Sequence, residues 1–108
     1  MDRVDQYRQI IREFLQDFAK DDPEAQLIFD PVHDRYLVMH NGWRGESRIY
    51  GCAMQLDIID GQVWIQHNST EVFIEQELTQ RGVSPKDIIL GLRSPSVRKI
   101  LAAALEHH

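Results

Sequence analysis

The chain has 108 residues, 17 of them acidic and 12 basic, for a formal net charge of −5. That length suits one domain able to bury a core without a metal or disulfide staple, and a lone cysteine, Cys52, leaves no internal disulfide to form. No run of Lys or Arg gathers the positive charge that phosphate binding needs, the nearest grouping being Arg93, Arg98 and Lys99, so direct DNA binding is disfavoured. Without a signal peptide or a long apolar stretch, the expected compartment is the cytoplasm, with no membrane contact.

Val4, Tyr7, Ile10, Ile11, Phe14, Leu15 and Phe18 recur at helical spacing and predict an amphipathic helix over residues 5–20, ended by Asp21-Asp22-Pro23. Four strands are expected next, over residues 26–30, 35–41, 48–59 and 62–68. Pro31-Val32-His33-Asp34 and Arg44-Gly45-Glu46-Ser47 are turn-like, and Asp60-Gly61 is the strongest hairpin signal because both central residues of such a turn need positive φ. Short connections of this kind make an antiparallel meander. Asn68 and Glu71 stand at capping-box spacing before a helix over 71–81 that carries Ile74 and Leu78 and closes at Gly82. Ser84-Pro85-Lys86-Asp87 reads as a turn, 88–92 as a short strand, and Ser94-Pro95 as the start of a last helix through Leu101.

The expected fold class is therefore α+β: an N-terminal helix, a four-stranded antiparallel meander, a second helix, then a short C-terminal strand and helix, with the helices on one face of the sheet. A single domain is expected over 1–104, with Leu105-Glu106-His107-His108 as a purification-tag remnant and Ala102-Ala103-Ala104 compatible with a cloning scar.

A two-residue turn at Asp60-Gly61 sets Ile58 against Val63, Leu56 against Ile65 and Met54 against His67, which defines a core face. The other face pairs Asp57 with Trp64, Gln55 with Gln66 and Ala53 with Asn68. The same logic across residues 44–47 places Leu37, Met39 and Cys52 in the core and Tyr36, Val38 and His40 on the mixed face. The first strand stays open, since either Leu27 with Phe29 or Ile28 can point inward. Tyr36, His40, Gln55, Asp57, Trp64, Gln66 and Asn68 then form a candidate partner-binding surface, with two large aromatics among polar groups. The alternative is that the C-terminal segment folds over this face and buries it.

Catalytic chemistry finds little support. No Cys or His spacing matches a zinc motif, no glycine-rich loop stands between a strand and a helix, and no cofactor is expected. Cys52, between Gly51 and Ala53, reads as a small packed group. A hydrolase or nuclease would need Asp57, His40 and His67 in one cleft, which the expected faces disfavour.

Several ordered segments carry a likeness to a known family. They are Asp5-Gln6-Tyr7-Arg8-Gln9-Ile10-Ile11, Gln26-Leu27-Ile28-Phe29-Asp30, Gly42-Trp43, Arg48-Ile49-Tyr50-Gly51-Cys52, Asp60-Gly61 with Trp64-Ile65-Gln66-His67-Asn68, and Gly82-Val83 with Pro85-Lys86-Asp87-Ile88. In these the chain resembles the XisI-like family, named for a factor controlling excision of the fdxN element in heterocyst-forming cyanobacteria. The resemblance implies a non-catalytic cytoplasmic accessory protein that acts with an XisH-like partner and a site-specific recombinase in programmed DNA excision. It does not reach past Arg98-Lys99, where this chain reads Ile100-Leu101-Ala102. Two other readings stand beside it: an antidote-like protein that restrains a nuclease-like XisH-type partner, and the small hydrolase or nuclease. A homo-oligomer is left open.

Overall fold

The computed structural model describes residues 2–106. Asp2 caps the first helix by accepting the Val4 N–H at 3.1 Å, and α1 (Arg3–Ala19) buries Tyr7, Ile11, Phe14 and Leu15 along one side. Then come β1 (Ala25–Asp30), β2 (Arg35–Arg44), β3 (Ser47–Ile59), β4 (Gln62–Asn68), α2 (Ile74–Gln80), a 3-10 turn (Pro85–Asp87), β5 (Ile88–Ile89) and α3 (Pro95–Glu106). The first four strands form the expected antiparallel meander, and β5 adds a fifth, in parallel, beside β4. A parallel neighbour needs a crossover, which α2 supplies. No described helix is long and apolar enough to cross a membrane. α3 continues past Leu101 through the alanines to Glu106; His107 and His108 of the expected tag lie outside the described residues.

The turns follow their local chemistry. Asp60 and Gly61 both adopt positive φ, 52° and 77°, as the hairpin requires. The β2–β3 turn is tighter than the four residues expected: Arg44 pairs with Ser47, leaving Gly45 (φ 60°) and Glu46 at the tip. Asn68 does not cap α2. Its side-chain oxygen accepts the Thr70 N–H at 2.9 Å and its amide donates to the Val72 carbonyl at 2.9 Å, so the chain makes a turn first and α2 begins at Ile74, after Phe73, with no side-chain cap. Glu71 thus lies outside the helix.

The faces of the sheet match expectation near the 60–61 turn and depart from it elsewhere. Ile58 opposes Val63, Leu56 opposes Ile65 and Asp57 opposes Trp64. Between Gln55 and Leu56 the pairing shifts by one residue, so Gln55 meets His67 and Met54 meets Asn68. Gln66 is the extra residue, and His67 is exposed instead of entering the core. A second shift lies between β2 and β3. Met39 pairs with Cys52 as expected, but Val38 pairs with Met54 and Tyr36 with Leu56, because Ala53 is an extra residue in β3. One inserted residue reverses the inward face of the paired strand beyond it. Tyr36 and Val38 are accordingly in the core, at 0% and 1% exposure, and Leu37 and Met39 stand on the opposite face, only half-buried. Pairing of Leu27 with Val38 and Phe29 with Tyr36 brings Phe29 edge-on to the Tyr36 ring, centroids 5.6 Å apart, and turns Ile28 outward.

α1 and α2 cover the core face, where Ile74, Leu78 and Val83 join the strand residues Met54, Leu56, Ile58, Val63 and Ile65. Two polar clips fix α1 to the rest. The Tyr7 hydroxyl donates to Asp87 at 2.7 Å and accepts the Ser84 N–H at 3.3 Å, tying α1 to the 3-10 turn. At its other side, Arg8 donates to both carboxylate oxygens of Asp34, at 2.7 and 3.0 Å, and Asp34 also accepts the Tyr36 hydroxyl at 3.0 Å. Burial, and then the bond to Asp34, push the Tyr36 phenol up to about 12.

The Arg8 guanidinium holds the Asp34 carboxyl below the usual carboxylate range, against an opposing desolvation. A depressed folded-state pKa contributes stability that is present above the unfolded value and lost as the pH falls through the folded one. Wild-type protein should therefore lose stability progressively below about pH 5. Asp34→Asn, which keeps a side chain suited to the positive φ of 55° at this position, should lower Tm at pH 7 by roughly 5 °C and flatten that acid dependence. Thermal melts of both proteins from pH 3 to pH 7 check this; parallel curves would show that the Arg8–Asp34 clip contributes nothing.

Candidate functional site

The two bulges and the one-sided helical layer leave the second face of the sheet largely uncovered. Across it from β1 to β4 stand Ile28, Leu37 and Met39, then Gln55 and Asp57, then Trp64 and Gln66. Ile28 is 50% exposed, and Leu37, Met39, Gln55, Trp64 and Gln66 are half-buried. Towards the tip of the β2–β3 hairpin the same face continues in Trp43 and Tyr50, 59% and 67% exposed, with the Arg48 guanidinium 5.2 and 5.9 Å from the two ring centroids.

At its centre lies a small polar device. Asp57 is only 7% exposed although no helix covers it, because two amides close over its carboxylate. Gln55 donates to it at 3.2 Å and Gln66, the bulged residue, donates at 3.2 Å from the neighbouring strand. The bulge aims Gln66 at Asp57, as an inserted residue commonly re-aims a side chain. The amides satisfy acceptor sites that burial would otherwise leave empty. Beside this cluster, Trp64 receives the Arg98 guanidinium of α3 at 5.1 Å from its ring centroid. Its buried indole N–H finds no acceptor among the described residues.

The C-terminal segment covers only the β4 corner of the face. Leu92 donates its N–H to the Ile65 carbonyl at 3.0 Å, and Gly91 passes so close that an added Cβ would strike the Gln66 amide and sit 3.1 Å from the Trp64 ring. The two readings of the mixed face thus divide it: the Trp64 corner is packed internally, and the β1–β3 part is open.

Of the residues expected at a partner surface, Gln55, Asp57, Trp64 and Gln66 do share this face. Tyr36 does not, being fully buried under α1 by the Ala53 shift. His40 also lies on the helix side, in a groove of about 380 Å³ with Phe18, Asp22 and Val38, its Nε2 3.2 Å from Glu24 Oε1. Asn68 is spent on its own turn. Ile28, Leu37, Met39, Trp43 and Tyr50 were missed. The expected alternation puts Leu37 and Met39, and with them Trp43 and Tyr50, on the helix side, and the extra residue Ala53 reverses that parity; the first strand, with Ile28, stays open in the sequence.

Asp57, His40 and His67 are not brought to a common point, because His40 is on the helix side and Asp57 on the other. Among the described residues no three His, Cys, Asp or Glu side chains are placed to hold a metal ion. Cys52 is half-buried at the bulge, donates its thiol to the Met54 carbonyl at 3.2 Å, and has its pKa raised by burial, which suits packing.

A meander backed by two helices on one face and largely uncovered on the other defines a class: a two-layer α+β domain with one sheet face exposed. The chain belongs to the XisI family, whose model, described as XisI protein, matches residues 1–105. The crystal structure of a XisI-like protein from Anabaena variabilis is similar at 36% identity and a TM-score of 0.85, covering 92% of this chain and 95% of that one. The crystal structure of the fdxN element excision controlling factor XisI from the same organism is similar at 32% identity and a TM-score of 0.77, with the same coverage of 92% and 95%. No curated protein matches the chain.

Gly91→Val should push the C-terminal segment off the Trp64 corner. In a Trp43→Phe background, leaving Trp64 as the only indole, its emission should shift to the red and acrylamide quenching should rise about twofold or more, against the half-covered ring of the parent. Unchanged emission would mean that the segment accommodates the side chain without leaving.

Proposed function

We propose that this protein is a non-catalytic accessory factor that controls the excision of a DNA element by binding a protein partner, an XisH-like protein working with a site-specific recombinase. Family membership supports the excision role, through a relative at 32% identity that is an fdxN element excision controlling factor. The observation that carries the binding role is the open β1–β3 sheet face, where Ile28, Leu37 and Met39 lie beside a fixed Asp57–Gln55–Gln66 cluster. Apolar side chains there supply contact area, and the caged carboxylate and amides supply orientation at no further ordering cost.

An acidic chain of net charge −5 suits a division of labour in which the partner or the recombinase makes the phosphate contacts. The protein would then act on the assembly and not on DNA. Binding through a sheet face, at groups already fixed in place, needs no catalytic residue.

Co-expression with an XisH-like protein should yield a complex that survives size exclusion. Ile28→Glu and Leu37→Glu, which place charge in the contact without touching the helix-covered core, should each weaken it at least about tenfold by calorimetry, with the isolated protein's melting unchanged for Ile28→Glu. Failure of the wild-type pair to associate, or equal affinity in both variants, would remove the support for this role and surface.

A further inference from the structure

We propose that the β2–β3 arm is a self-association edge, through which two copies of this chain pair their β3 strands antiparallel about Ile49. β1 pairs with β2 only as far as His40, and β4 with β3 only as far as Met54, so residues 41–44 and 47–50 have only each other as strand partners. The arm is thus a two-stranded ribbon extending beyond its neighbours, and such a ribbon is marginal in water by itself.

Its two edges differ. In an antiparallel ladder closed at Arg44–Ser47, alternate residues aim their backbone groups outward: Asn41 and Trp43 on β2, Arg48 and Tyr50 on β3. On the β2 side the outward N–H groups are occupied, Asn41 N–H by the Glu24 carbonyl at 3.0 Å and Trp43 N–H by the Glu24 carboxylate at 3.2 Å. Glu24 lies over Gly42 to do this, where any Cβ would collide with it. On the β3 side the Arg48 and Tyr50 N–H groups have no acceptor among the described residues. One edge is closed and the other is open.

The open edge is self-complementary. Two copies related by a two-fold axis at Ile49 set Arg48 of each opposite Tyr50 of the other, and all four outward N–H and C=O pairs close at once. The side chains agree with that alignment. Arg48 already lies against aromatic rings on this face, and the pairing adds the second copy's Tyr50 as a cross-strand neighbour. A second copy brings its Tyr50 to each Arg48 at the matched spacing, on both sides of the axis at once. The contact is small for a protein interface, so the dimer should be weak, with Kd on the order of 10 µM.

Sedimentation of the wild-type chain from about 1 to about 200 µM should show a reversible monomer–dimer equilibrium, and Tyr50→Pro, which removes an outward N–H but no bond of the arm's own ladder, should weaken it at least about tenfold. The alignment is tested by cross-linking in a Cys52→Ala background. Ile49→Cys should form a disulfide dimer on mild oxidation, since the two positions face each other in a closely spaced pair, and Ser47→Cys, two residues off the axis, should not. A pairing test follows from the same geometry: Arg48→Glu/Tyr50→Glu chains and Tyr50→Lys chains should each be monomeric alone and associate when mixed. A chain that stays monomeric at the highest concentration, a dimer indifferent to Tyr50→Pro, or equal linking at positions 47 and 49 would each overturn the proposal. None of these outcomes depends on an XisH-like protein, so this proposal and the excision reading fail separately.

Discussion

One extra residue in β3 decides which side of β2 faces the helices. Across the strand pair the side chains alternate strictly, so inserting Ala53 between the stretch that follows the arm turn and the stretch that approaches the Asp60-Gly61 turn changes the parity of everything beyond it. Both turns are locally specified, and each imposes a parity of its own. Without the bulge they conflict: the arm turn would send Leu37 inward, whereas the core needs Tyr36 and Val38 against Leu56 and Met54. Ala53 reconciles them, and its small side chain packs at the margin of the core. The tertiary consequences are large: Tyr36 can reach Asp34, Asp34 can hold Arg8, and α1 is thereby fixed across the meander.

What was legible in the sequence was what local chemistry determines. The amphipathic run from Val4 to Phe18 could bury only one side, and Asp60-Gly61 could turn only one way, so α1 and the β3–β4 hairpin appear where expected. Near that turn the faces of Leu56, Ile58, Val63, Ile65, Asp57 and Trp64 were also readable, because nothing intervenes. The bulges were not, since Ala53 and Gln66 carry no signal of their own; a bulge shows itself only when both flanking registers are known. Asn68 illustrates a different limit. Capping-box spacing was present, but the side chain closed a nearer turn, and local geometry of Ser69 to Val72 won over a cap three residues away. β5 is two residues long and parallel, so it depends on α2 having first crossed over the sheet.

The candidate site was half legible for the same reason. Gln55, Asp57, Trp64 and Gln66 belong to the hairpin whose faces could be read, and Tyr36 and His40 to the strand whose face is reversed. The reversal also changes the character of the surface. In place of a tyrosine and a histidine it gains Leu37 and Met39, so the open face is more apolar on the β2 side and its polar groups concentrate around Asp57. The cage explains how a carboxylate persists there. Two uncharged amide donors, one from its own strand and one from the next, take the place of water around it.

The arm and the open face are parts of one surface, which links the two kinds of binding. Antiparallel pairing at a strand edge places the two-fold axis perpendicular to the sheet, so both copies keep the same face on the same side. Paired arms would therefore set two open faces side by side, with Trp43, Arg48 and Tyr50 of both copies at the seam and the Asp57 clusters to either side. Partners docked on such a pair are presented together, and each gains from the other's presence through effective concentration and not through added contacts. An excision assembly that must bring two ends of a DNA element together has use for that arrangement. The geometric requirement lies in the axis: a two-fold in the plane of the sheet would put the two open faces on opposite sides, whereas antiparallel edge pairing keeps them together and its register sets only how far apart they stand.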